Sequence, residues 1–102
     1  MVRKSLAAYL LLALVLFTAC RSDSAREARG LIVNVRAESV VEWESLTLRL
    51  SGGKELTFTR GADVDLRFWR ASHLREHMAG AQPVTVRYSE SKGRLVATAI
   101  SD

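Results

Sequence analysis

Hydrophobic and polar positions fall into two regimes along this chain. From Leu6 to Phe17 no charge interrupts the apolar run, and Tyr9 is its one polar side chain. From Gly30 onward apolar residues instead recur at every second position, the period of a half-buried strand. Leu31, Val33, Val35 and Ala37 alternate with Asn34, Arg36 and Glu38, which predicts a first strand starting at Gly30. Leu46, Leu48 and Leu50 keep the same period, and Ser51-Gly52-Gly53-Lys54 reads as a tight hairpin turn into Leu56-Thr57-Phe58-Thr59. An irregular stretch from Gly61 to Arg70 leads to a short helix over Ser72–Ala79, with Ser72 as its N-cap and Gly80 closing it. Pro83 stands at a strand start, where its missing N–H costs least. Val84–Tyr88 and Leu95–Ile100 then read as strands joined by a turn over Ser89–Gly93. In the last strand two phases compete, Leu95, Ala97 and Ala99 against Val96 and Ile100.

The predicted class is mainly β, in the order β-β-β-α-β-β. A domain this small buries a limited share of its surface, and an open sheet would leave strand edges unpaired. Curling the sheet around one core answers both problems. The expected core is Leu31, Val33, Val35, Leu46, Leu48, Leu50, Phe58, Leu74, Val84, Val86 and Leu95. Over residues 30–102 the order resembles the OB-fold, a five-stranded Greek-key barrel with a helix between its third and fourth strands. A five-stranded SH3-like barrel and a plain meander share the strand count.

The N-terminal run reads as an export signal. Arg3 and Lys4 precede it and the small residues Thr18-Ala19-Cys20 close it. As a helix, residues 6–20 reach about 22 Å, short of the roughly 30 Å hydrocarbon core of a bilayer. The junction Phe17-Thr18-Ala19-Cys20 resembles the bacterial lipobox, with Phe17 where leucine is commonest. The resemblance implies a diacylglyceryl group on the Cys20 sulfur, cleavage between Ala19 and Cys20, and fatty-acyl (palmitate-type) modification of the new amine. Phe17 is too bulky for ordinary signal peptidase to cut after Ala19. A cut after Cys20, with Thr18 and Cys20 as the small pair, is the competing reading. The expected organisation is a signal peptide over 1–19, a lipidated Cys20 and flexible tether over 20–29, and a barrel over 30–102. Arg21 directly follows the cysteine. The absence of an aspartate there implies, by the same resemblance, the periplasmic leaflet of the outer membrane in a two-membrane cell. In other cells the address is the outer face of the cell membrane.

Charge and composition narrow the role. The chain is 48% hydrophobic and 25% charged, which excludes disorder and a multi-span membrane protein. Its one cysteine excludes a disulfide framework and a multi-thiolate zinc site. Losing Arg3 and Lys4 with the leader lowers the net charge from +4 to +2. An exported domain so weakly basic is not expected to bind nucleic acid. Ser72-His73-Leu74-Arg75-Glu76-His77-Met78 and Pro83-Val84-Thr85-Val86-Arg87-Tyr88, with Ser45-Leu46-Thr47-Leu48, resemble a group of small exported bacterial proteins without assigned activity.

Candidate chemistry is sparse. His73 and His77, four residues apart on one helix face, form the candidate metal pair, although two imidazoles make a weak site. Trp43 and Trp69 fall where strand periodicity breaks and, with Arg49, are the candidate binding residues. Rings either contact ligands or plug the barrel ends. Glu42, Glu44, Asp63 and Asp65 form either a cation-attracting rim or a solvated loop. No nucleophile elbow or phosphate loop is present, so the expectation is a non-enzyme without a cofactor. It would be a binding module for an envelope protein, peptide or glycan, anchored to the membrane by lipid. The alternative is an exported small-ligand or metal-binding protein.

Overall fold

The computed structural model describes residues 25–102; the leader, the Ala19–Cys20 junction and the lipidation position Cys20 lie outside the described residues. Five strands and one helix follow in order: β1 (Arg26–Ala37), β2 (Trp43–Arg49), β3 (Glu55–Arg60), α1 (Ala71–Ala79), β4 (Val84–Ser91) and β5 (Arg94–Ser101). The strands close into a barrel in the order β1-β2-β3-β5-β4. The β3–β5 pairing is parallel and the other pairings are antiparallel. Closure satisfies the strand edges that an open sheet of this length would expose. The mainly β class and the OB-like barrel follow from this order and from the helix between β3 and β4.

Closure depends on β1 serving two partners. Its first part, Arg26–Gly30, pairs with β4, and Leu31–Ala37 pairs with β2. At the changeover a Cβ on residue 30 would overlap the Arg49 carbonyl oxygen, so only glycine lets β1 pass this close to β2. The strand starts at Arg26, and residues 26–29, expected to end the tether, lie in the sheet. Ala28 is the one apolar side chain among them and is buried; a single small residue shows no period to read.

A bulge then reverses the expected phase of β1. The register shifts between Ile32, opposite Leu48, and Asn34, opposite Thr47. One inserted residue moves every later side chain to the other face. Ala28 and Ile32 therefore face inward before the bulge and Val35 after it. Leu31 and Val33, both assigned to the core from the alternation, are respectively exposed and half-buried. A second irregularity resolves the competing phases of β5. Tyr88 pairs with Ala97 and Arg87 with Ala99, so Thr98 is extra, and its hydroxyl donates to the Arg87 carbonyl at 3.2 Å. Ala97 faces inward on one side of this step and Ile100 on the other.

Leu46, Leu48, Phe58, Leu74, Val84 and Val86 are fully buried, as the pattern predicts, whereas Leu50 and Leu95 are half-buried at the core's edge. The Leu50–Lys54 turn closes through two backbone hydrogen bonds, with Gly53 at φ 91°. Ser72 does not cap α1. The helix starts one residue earlier, and the N–H groups of Ala71 and Ser72 donate to the carbonyls of Val41 and Val40 at 2.9 and 3.0 Å. The β1–β2 loop thus satisfies two of the orphan donors at the start of the helix. Gly80 follows the last helical residue at φ −86°, and the left-handed position falls on Ala81 at φ 51°. Among the described residues no helix is long and apolar enough to cross a membrane.

Candidate functional site

The residues singled out from the sequence fall at three places. Trp43 opens β2 and Trp69 precedes α1, and they meet inside: the Trp43 indole N–H donates to the Trp69 carbonyl at 2.9 Å. Their exposures are 1% and 5%, so both rings belong to the core and neither presents a face to a ligand. They close the end of the barrel against which α1 packs. Periodicity breaks around each because a plug is placed by tertiary contact and not by the pleat of a strand.

His73 and His77 pack onto Trp69. The His73 ring stacks on the indole at 4.8 Å with an interplanar angle of 9°, and Phe68 meets both rings edge-on. His73 Nδ1 lies 2.7 Å from the Phe68 carbonyl. A carbonyl only accepts, so Nδ1 is the donor in this contact. His77 is buried, with Nε2 3.6 Å from an Asp102 oxygen and Nδ1 without a hydrogen-bond partner among the described residues. The two rings lie 4.9 Å apart at 63°. The helical spacing does bring the imidazoles together, yet both are wedged into an aromatic cluster. Among the described residues no group of three or more His, Cys, Asp or Glu side chains is placed to hold a metal ion. A metal here would have at most two imidazole donors.

The acids divide. Glu42 and Glu44, with Glu38 and Arg60, line a recess of about 140 Å³ over the Trp43 backbone. Glu44 pairs with Arg36 at 3.5 Å, and Arg60 Nε donates to the Trp43 carbonyl at 2.9 Å. Asp65 works locally, accepting the Arg67 N–H at 3.1 Å, and Asp63 is exposed. These groups do not converge on one point.

Arg49 lies on a different surface. On the outward β2–β3 face it donates twice to one Glu55 oxygen, at 3.2 and 3.0 Å, beside the hydroxyl pair Thr47–Thr57 at 2.9 Å. It also borders a cleft of about 540 Å³, lined by Arg29, Gly30, Leu31, Leu50, Ser51 and Pro83. The cleft forms where β1 changes partner: β4 begins opposite Gly30 and β2 ends opposite Leu31, so the floor between them lacks a covering strand. Leu31 is 39% exposed there, turned outward by the bulge. Arg29 donates through Nη1 to the Thr85 hydroxyl at 2.8 Å and has no ion-pair partner among the described residues. The sequence pattern pointed to Arg49 alone of this set. Arg29 and Leu31 lie more than fifty residues from Pro83 along the chain, and only barrel closure juxtaposes them.

By fold this is a small closed OB-like barrel. No protein-family model, curated protein or solved structure matches the chain. The function is therefore argued from its own residues.

Proposed function

We propose that this chain is an envelope lipoprotein whose barrel is a non-enzymatic binding module, and that the Arg29–Arg49 cleft receives its partner. The cleft carries this reading: an apolar floor of Leu31, Leu50 and Pro83 under two guanidinium groups. Concave apolar surface with a few directed polar groups is the usual composition of a binding site. Glu55 neutralises Arg49, whereas Arg29 keeps its charge. Guanidinium suits planar carboxylates, so the fitting partner is an envelope peptide or protein segment with an acidic group beside an apolar one. An uncharged glycan would leave Arg29 unanswered.

The address rests on the sequence: a basic start, an uncharged run and Phe17-Thr18-Ala19-Cys20. Diacylglycerol supplies two chains, and two acyl chains hold a protein to a bilayer stably where one does so only marginally. The expected location is the periplasmic leaflet of the outer membrane in a two-membrane cell, and the outer face of the cell membrane otherwise.

Two measurements test the halves separately. Cys20→Ser should release the protein from the membrane fraction or leave it uncleaved; wild-type fractionation and mass would overturn the anchor. A photo-crosslinking residue at Leu31 should capture an envelope species in cells, and Arg29→Glu should abolish that product. Capture unaffected by Arg29→Glu, or none at all, would remove the cleft as the binding surface.

A further inference from the structure

We propose that the barrel end where the chain enters faces an anionic phospholipid surface and meets it through Arg26, Lys92 and Arg94. The inference rests on the lipid-anchor reading and adds an orientation to it.

Tether length sets the first constraint. From Cys20 to Arg26, the first strand residue, a fully extended chain spans at most about 22 Å. The entry end of the barrel is thereby held near the headgroups, whatever the tether's path. Register sets the second. Arg26 pairs with Tyr88, and β4 continues past that point through Ser89, Glu90 and Ser91 before turning at Lys92-Gly93. At about 3.3 Å per residue the tip projects roughly 10 Å beyond Arg26, past the N-terminal end of β1. The β4–β5 tip is therefore the part of the described structure that approaches the bilayer first.

Charge supplies the third observation. Arg26, Lys92 and Arg94 are exposed, and none has an ion-pair partner among the described residues. Arg87 answers Glu27 at 3.5 Å, which leaves Glu90 as the one acid without a partner at this end among the described residues. The far end of β1 is the reverse, where the loop after Ala37 carries Glu38 and Glu42 around the exposed Val40 and Val41. The turn itself adds a detail. Lys92 and Gly93 both have positive φ, 51° and 77°, as a two-residue hairpin turn of the primed type requires. Asparagine or aspartate is the usual first residue there, and lysine occupies a conformation that L side chains disfavour. What lysine contributes in exchange is a cation at the outermost point. Near an anionic leaflet each basic residue strengthens surface association by about fivefold at ordinary ionic strength.

The test uses the full chain purified with its native N-terminus and reconstituted into vesicles. One set is phosphatidylcholine alone; the other contains phosphatidylcholine and phosphatidylglycerol in equal parts. A fluorophore is placed at Ser91→Cys or, at the opposite end, at Val40→Cys, and quenched by headgroup-labelled lipid. Strong quenching at position 91 and little at position 40 is expected on the anionic vesicles. Lys92→Glu with Arg94→Glu, or added salt, should reduce the quenching at 91 to its value on phosphatidylcholine. Equal quenching at both positions, or no response to the charge reversals in vesicle-bound protein, overturns the orientation alone. If the peptide containing Cys20 has the mass of an unmodified cysteine, the anchor reading falls and this inference with it.

Discussion

Trp43 shows how a residue chosen for its chemistry can be fixed by packing instead. Flanked by Glu42 and Glu44 in a stretch without strand period, it has the features of a ligand-contacting ring. Its side chain is instead the largest fully buried one among the described residues, and its N–H satisfies the Trp69 carbonyl. Trp43→Phe should cost about 1–3 kcal/mol, because a buried carbonyl loses its donor while most of the apolar contact remains. Urea unfolding checks this; an unchanged midpoint would mean that water reaches the carbonyl. The exposed members of the cleft, Leu31 and Arg29, were harder to find from sequence. Leu31 sits in phase with Val35 by simple alternation, and nothing local announces the bulge that turns it outward.

Among the elements, the helix and the strands were legible to different degrees. Apolar alternation located every strand, since burial on one face imposes a period of two on any sequence. It could not locate the insertions at Val33 and Thr98, because a bulge changes the register without changing the composition. The start of α1 was misread for a related reason. Ser72 is a good local cap, but it lies inside the first turn because the helix starts one residue earlier, and the N–H groups of Ala71 and Ser72 are met by Val41 and Val40 from a loop thirty residues away in sequence. That loop is shaped by Ser39, whose hydroxyl accepts the N–H groups of Val41 and Glu42 at 3.2 and 2.9 Å. Two substitutions separate the accounts. Ser72→Ala should change stability by less than about 0.5 kcal/mol. Ser39→Ala should cost about 1 kcal/mol and speed amide exchange at Ala71 and Ser72. The reverse order would restore Ser72 as the cap.

For the whole molecule, one barrel encloses one core, so damage anywhere within it should be felt everywhere. Leu48 is fully buried in β2, and Leu48→Ala should cost about 2–5 kcal/mol. That is a large part of the roughly 5–15 kcal/mol that holds a small domain together. Tryptophan fluorescence and far-ultraviolet dichroism should report the same lowered midpoint; separated transitions would argue against a single core. The molecule also has two unlike ends. Basic side chains gather where the chain enters and acids gather at the β1–β2 loop, with the Arg29–Arg49 cleft on the flank between them. If the tether is short and lipid-bound, this polarity presents the acidic end and the exposed valines away from the membrane.

Periodicity and punctuation were determined by the sequence itself: five strands, one short helix and their order. Those features are local, and neighbouring residues suffice to encode them. The tertiary structure decided which side of β1 is inside, which atoms cap α1, and whether an aromatic is a plug or a contact. It also decided which arginines share a cleft. Each of these depends on a group distant in sequence occupying a particular place, and only closure of the barrel puts it there.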